Sequence, residues 1–446
     1  MTTRIYASDE VEYFAFLRSL WFDPDVSFEN EYRHIYESGI ARPPGFLETF
    51  LERRTETGRR INFGTIGCAL LWSPFYAAGD FTARALRAGG VAVAVDGYSK
   101  PYVSAVAYAS AVYGCLSIVL SILVCRRLFG WTTATSGRFG RIAPFLAVVI
   151  VWIGTPLVFY MYVTPPMAHA TSAFTVTLFV LAWLKARERW RVGDIALLAA
   201  IAALMGMVRE QDLLLAIGPI LDFARDLARR REGAWRATAL KLATAAVVFG
   251  IVFVPQALAY LALNGRIGPS QFVTRKMIWS SPHALQVLAS PAHGFFWWTP
   301  LAAVAIGGLI WAAASRRNES MGWLAACLLA MVAAEVYVNG SVDSWTLAGA
   351  FGQRRFVSLT PILCVGLSAV ITSLAHMRPP WRVAAAAAIG LTVWWNVALM
   401  VQFGTGLMDR QRLQPALNAR HAFMTVPREL PSLVYRYLFE RGTFYK

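Results

Sequence analysis

The sequence predicts an all-α, polytopic integral membrane protein, and three observations carry that prediction. Apolar residues make up 57% of the 446 and charged residues only 15%, with a mean hydropathy of +0.48. A soluble domain sits near half apolar and about a quarter charged. Apolar stretches long enough to cross a bilayer recur along the chain, divided by short polar links. The basic residues fall in those links, at 126–141, 185–191, 225–236, 316–317 and 378–382, as the positive-inside rule expects. This placement explains the net charge of +16 without a nucleic-acid partner, which is excluded on the same ground.

The chain opens on a polar, acidic stretch, Tyr6 to Tyr32, holding Asp9, Glu10, Glu12, Asp23, Asp25, Glu29 and Glu31. Asp9-Glu10 begins a helical run whose apolar stripe is Tyr13, Phe14, Leu17 and Leu20. Two readings stand for the acidic pair. It suits the positive end of a helix dipole, and it is also a carboxylate cluster placed beside a membrane for chemistry. The first residues, MTTRIYASDE, have no apolar core and so no cleavable signal peptide. Leu47, Phe50 and Leu51 then fall at helical spacing and predict a short amphipathic helix at the membrane interface.

Residues 1–60 therefore read as an external loop with interfacial helices, 61–403 as a transmembrane helical domain, and 404–446 as a polar tail with aromatic patches. The segment 61–79 is apolar but short, and Gly64, Gly67 and Pro74 interrupt it. A half-inserted or interfacial helix fits it; a full crossing would carry the acidic stretch to the opposite face. Spans are expected near 102–125, 142–163, 167–184, 238–262, 295–314, 321–338, 356–375 and 382–402. Two shorter apolar pieces lie between 193 and 224, divided by Arg209-Glu210-Gln211-Asp212, giving about ten membrane segments in all. With the five basic links cytoplasmic, the outward links hold His169, Arg209, Arg275, Lys276, His283, His293, Asp343, Gln353, Arg354 and Arg355.

Each candidate has a plain alternative. Arg209 sits between two short apolar helices, where an ionisable group is a functional hypothesis or a partner for Glu210 or Asp212. Arg354-Arg355 lies on the outward side against the charge rule, and reads as a phosphate site or as a juxtamembrane basic pair. His169 reads as a proton carrier, a metal ligand or a packing histidine. His283 and His293 have no metal spacing, and no metal site is assigned. Trp297, Trp298 and Tyr337 suit an interface belt or stacking on a sugar. Asn339-Gly340-Ser341 matches a glycosylation sequon, a common pattern. The five cysteines all lie in apolar stretches and read as buried thiols.

Several blocks resemble the GT-C class of membrane glycosyltransferases, in the group of the dolichyl-phosphate-mannose protein mannosyltransferases and aminoarabinose transferases. DEVEYFAFLRSLWFDPDVSFENEY resembles their first external loop, and RRTETGRRINFGTIGCALLWSPF the segment that approaches the lipid phosphate. GTPLVFYMYVTPPMAHATSAF, MVREQDLLL, SPAHGFFWWTPL and FGQRRFVSLTPIL resemble later blocks. The resemblance implies transfer of a glycosyl unit from a polyprenyl-phosphate donor to an acceptor at the external face of a bacterial plasma membrane. It casts Asp9, with Glu10 beside it, as base or as the carboxylate that positions acceptor or metal. It casts Arg59, Arg60, Arg209, Arg354 and Arg355 as ligands of the lipid phosphate, and His169 and Gln353 as substrate contacts. A divalent cation is allowed but not required, because arginine can neutralise the leaving phosphate. Relatives carry a transmembrane helix before the first loop. Here eight residues precede Asp9, so that helix is expected to be encoded upstream or to have been lost. The competing expectation is a lipid-carrier or polysaccharide transporter without chemistry; it calls for ionisable groups deep in broken helices and for two related halves. No internal repeat is visible.

Overall fold

The computed structural model describes residues 1–133, 137–229, 235–315, 318–347 and 349–440, leaving out the side chains at 130–133 and 137–141. Among these residues every regular element is helical, and the only extended pairing is a single bridge between Arg54 and Arg60. Six helices are long and apolar enough to cross a membrane: Lys100–Phe129, Ala168–Ala186, Trp235–Asn264, Glu319–Gly340, Arg354–Leu374 and Pro379–Thr405. Ile142–Ile153, Val192–Val208 and Pro300–Ala314 are apolar but shorter. The protein is thus helical and multi-pass in character. The expected basic link at 316–317 lies outside the described residues, as do parts of those at 126–141 and 225–236.

Two expected spans differ from the sequence reading. The stretch 142–163 is broken after Ile153 and resumes as Leu157–Tyr162. Gly154-Thr155-Pro156 fills the break, and proline both lacks a donor and drives the residue before it out of the helical region. The stretch 295–314 splits into Phe295–Trp298 and Pro300–Ala314, with Thr299 non-helical (φ −135°) ahead of Pro300 for the same reason.

The chain divides into two compact units, Met1–Leu120 with Tyr160–Met277, and Ser121–Phe159 with Ile278–Lys446. In the first unit the N-terminal helix Ser8–Phe22 packs on the helix Gly67–Ala88 through Tyr13 on Trp72 and Phe14 on Tyr76. Gly67–Ala88 runs antiparallel to the start of Lys100–Thr133: Leu71 O accepts from the Tyr113 hydroxyl (2.8 Å), and Gly79 lies against Pro101 and Ala105. Gly67–Ala88 thus lies alongside the first part of Lys100–Thr133, as far as Tyr113. The apolar segment expected at 61–79 is helical from Gly67, in the longer helix Gly67–Ala88. The short helical turn expected near Leu47 forms at Leu47–Glu52; it buries Phe50 and leaves Leu47 exposed.

In the second unit Thr360–Leu374 is the central helix and is almost wholly buried. Gly366 and Gly308 let it touch Pro300–Ala314 backbone to backbone: a Cβ on Gly308 would stand 2.2 Å from Gly366 O. Small residues at such crossings replace the hydrophobic drive that is absent between helices in lipid.

Candidate functional site

The strongest grouping of chemistry lies in the first unit. Ala168–Ala186 and Val192–Val208 are antiparallel neighbours, so the N-terminus of one and the C-terminus of the other share an end. His169 stands at the first and Arg209 caps the second. Arg209 Nη1 lies 3.3 Å from His169 Nδ1, and its Nη2 donates to Gln211 Oε1 at 2.9 Å. Asp212, fully buried, accepts from Ser172 Oγ at 2.6 Å. His169 also packs on the ring of Tyr160.

The N-terminal layer is fastened to this same end. Thr65 Oγ1 donates to Val208 O at 2.8 Å, Ile66 N donates to Gln256 Oε1 at 2.9 Å, and Gly67 rests on the Met207–Val208 backbone. Asn62 Nδ2 donates to Glu12 O at 3.0 Å and ties in the N-terminal helix. The result brings Tyr13 within electrostatic reach of both Asp9 and Arg209. Burial pushes its phenol pKa well up, Cys68 adds to this, Arg209 opposes it, and Asp9 and Glu12 raise it further. Asp9 and Arg209, 200 residues apart in the chain, thus act on one hydroxyl.

Glu10 has a different task from Asp9. Its Oε2 accepts the backbone N–H groups of Tyr6 (2.8 Å) and Ala7 (3.1 Å), closing the start of its own helix. Arg60 is buried and forms a two-pronged ion pair with Glu29, which Arg33 also holds. The Arg60 guanidinium accordingly keeps the Glu29 carboxyl below its usual range. Arg59 is exposed in the tight turn at 54–60, and its guanidinium makes no hydrogen bond or ion pair among the described residues. Arg209, beside His169, and Asp9 thus lie on either side of Tyr13 within electrostatic reach of it, while Arg59 and Arg60 belong to the turn over helix Glu29–Glu37.

Glu210 does not answer Arg209. It joins no hydrogen bond or ion pair among the described residues, and burial alone lifts its pKa to about 7. Tyr13 and Gln211 are functional candidates that sequence reasoning misses. Tyr13 reads as part of an apolar stripe, although its i,i+4 spacing from Asp9 puts both on one helix face.

Gln353, Arg354 and Arg355 lie in the second unit, at the entry to its central helix. Gln353 is buried and donates to His293 O at 3.2 Å. His293, at φ +62°, stacks on Trp298 with centroids 4.7 Å apart and meets Ala350 O through Nε2 at 2.8 Å. Burial pushes its imidazole pKa down, against the Ala350 carbonyl and with the help of the Arg354 charge. Arg355 donates to Ser344 Oγ at 3.4 Å. Nearby, Ala289, Phe296, Trp297, Pro300 and Trp395 line an apolar hollow of about 410 Å3. No group of three or more His, Cys, Asp or Glu side chains arranged to hold a metal occurs among the described residues. Comparison of the chain with protein-family models, with curated proteins and with solved structures finds no match.

Proposed function

We infer that the protein is a membrane glycosyltransferase of the GT-C type, with about ten membrane segments, that takes a sugar from a polyprenyl-phosphate donor in a bacterial plasma membrane. The observation that carries this reading is the meeting of Asp9, Tyr13, His169 and Arg209 at one end of the first unit. Transfer needs an anion-binding cation beside a carboxylate at the membrane surface. In the reaction the acceptor hydroxyl attacks the anomeric carbon, and the bond from that carbon to the phosphate oxygen breaks. The lipid phosphate leaves with the electron pair, and the acceptor proton passes to Asp9. Arg209 binds the departing phosphate through the paired N–H groups of its guanidinium. Such preorganised charge is commonly the largest catalytic contribution. Tyr13 keeps its proton at neutral pH and so can donate to a substrate oxygen. Arg354 and Arg355 are, by their chemistry, a second candidate anion site, in the other unit.

One observation favours a transporter instead: Glu335, fully buried, lies within the span Glu319–Gly340, paired with Asn339 at 2.8 Å. An ionisable group inside a span marks many transport pathways. The deciding experiment follows labelled sugar from polyprenyl phosphate with purified protein, comparing wild type, Asp9→Asn and Arg209→Gln. Loss of transfer in both folded variants supports the enzyme. Undiminished transfer in Asp9→Asn removes that residue from its role. No turnover with any lipid-linked donor, together with measurable lipid translocation, would establish the transporter.

A further inference from the structure

The C-terminal segment folds back on the helix that precedes it. Pro379–Thr405 is an apolar span, and the chain after it turns at Gly406 (φ +74°) and folds back along it. Asn418 and Gln402 exchange two hydrogen bonds, at 2.9 and 3.2 Å. Deeper along the span, Trp394 Nε1 donates to Ala422 O at 3.1 Å, and Ala422 and Val426 pack with Ala398. Trp394 lies eleven residues before the end of its helix, or about 16 Å at 1.5 Å per residue. The returning segment is therefore held against the flank of a span, not beyond its end.

The helix that ends this segment has two faces. Within Val426–Phe439 and the turn before it, Phe423, Leu430, Val434, Tyr437 and Leu438 project at helical spacing to one side and all are exposed. Arg428, Glu429, Ser432 and Arg436 occupy the other side, where the exposed rings of Tyr435 and Phe439 stand among them. Val426 is the only residue of this helix that is fully buried. An exposed apolar face of this size on a water-surrounded tail would be a cost of several kcal/mol at about 25 cal/mol per Å2, and its continuity with an apolar span supplies the solvent that removes it.

We propose that the segment from Pro415 to Phe439 is an interfacial membrane helix, with Phe423, Leu430, Val434, Tyr437 and Leu438 in the lipid and Arg428 and Arg436 at the phosphate level. A long arginine side chain reaches from a helix at this depth to the headgroups. The occupant of the apolar face is the bilayer of the membrane that the span crosses.

The test uses the full chain in phospholipid vesicles, in a Cys115→Ser background that removes the exposed native thiol. Spin labels are placed at Val434→Cys and, separately, at Ser432→Cys, and their collisions with oxygen and with a water-soluble nickel chelate are compared. The inference expects a several-fold higher oxygen-to-nickel ratio at 434 than at 432. Equal ratios, or free access of the nickel chelate to 434, overturn it. Protection of 434 from both reagents also overturns it, since a protein surface or a second copy would then cover the face. Leu438→Cys repeats the measurement on the same face if the first variant fails to fold.

Discussion

Replacing Gly67 by alanine tests how the N-terminal layer is held over Arg209. An ideal Cβ at this position stands 2.4 Å from Met207 C, 2.5 Å from Met207 O and 2.5 Å from Val208 N. Ordinary contact begins at 3.4 Å, so helix Gly67–Ala88 or the end of Val192–Val208 must retreat by about 1 Å. Neither neighbour is a flexible side chain; both are backbone, and Arg209 is the next residue after Val208. Overpacking of this kind costs about 1–3 kcal/mol. If the groups at this end carry out the proposed transfer, a displacement of about 1 Å between them lowers turnover by about a hundredfold. The assay pairs thermal unfolding in detergent with sugar transfer per folded molecule. Gly250→Ala is the control, because no atom lies within 4 Å of its would-be Cβ in helix Trp235–Asn264. It should leave transfer unchanged and gain about 0.5–1 kcal/mol from the better helix former. A Gly67→Ala protein with native stability and native transfer would refute the reasoning.

Three further outcomes are expected. Arg60→Ala should cost about 1 kcal/mol through loss of its hold on the partly exposed Glu29, while Arg59→Ala should stay within about 0.5 kcal/mol of wild type in the same melts. Glu31 is fully buried, paired with Arg18 at 2.9 Å, and burial raises its carboxyl to about 7 from 4.5. The folded state then holds a proton that the unfolded state has released. The resulting stability is present below about pH 4.5 and is lost as pH rises through about 7, by up to about 3 kcal/mol. Melting temperature against pH should show wild type losing ground to Glu31→Gln across that window, and parallel curves would refute it. Asp222→Ala should cost about 3 kcal/mol, since Trp183 Nε1 (3.0 Å) and Arg187 Nε (2.8 Å) lose a shared acceptor, with transfer per folded molecule retained because this contact lies at the other end of the helix from His169.

The long helices are legible in the sequence because apolar runs are a one-dimensional signal. The expected 321–338 and 382–402 are the cores of Glu319–Gly340 and Pro379–Thr405. The breaks at Pro156 and Pro300 are legible too, but continuous hydropathy masks them. At the site, chemistry singles out Asp9, His169 and Arg209, whereas nothing periodic says that the helix of residue 9 packs over the end where residue 209 stands. That packing depends on Thr65, Ile66 and Gly67, whose work is done by one hydroxyl, one backbone N–H and one missing methyl. The burial of Arg60 against Glu29 is equally hidden, for a basic residue reads the same in sequence whether it faces lipid phosphate or a carboxylate of its own chain. The folding back of residues 415–439 is obscured by their arginines, which sit on one face of a helix that a linear count averages away.

The two sets of arginines call for different weights. Arg60 is already neutralised by Glu29, so offering it to a lipid phosphate means breaking the ion pair of a buried arginine and leaving the partly exposed Glu29 to Arg33 alone. Arg209 reaches His169 Nδ1 and Gln211 Oε1, and its planar guanidinium has N–H groups enough to hold a phosphate in bidentate fashion beside those contacts. Its position at the C-terminus of Val192–Val208 adds a further bias. A helix C-terminus carries partial negative charge that stabilises the guanidinium and fixes it at that end. An Arg209→Lys protein would keep the charge but lose the paired N–H groups. If bidentate phosphate binding is the role, its transfer should fall while its fold does not.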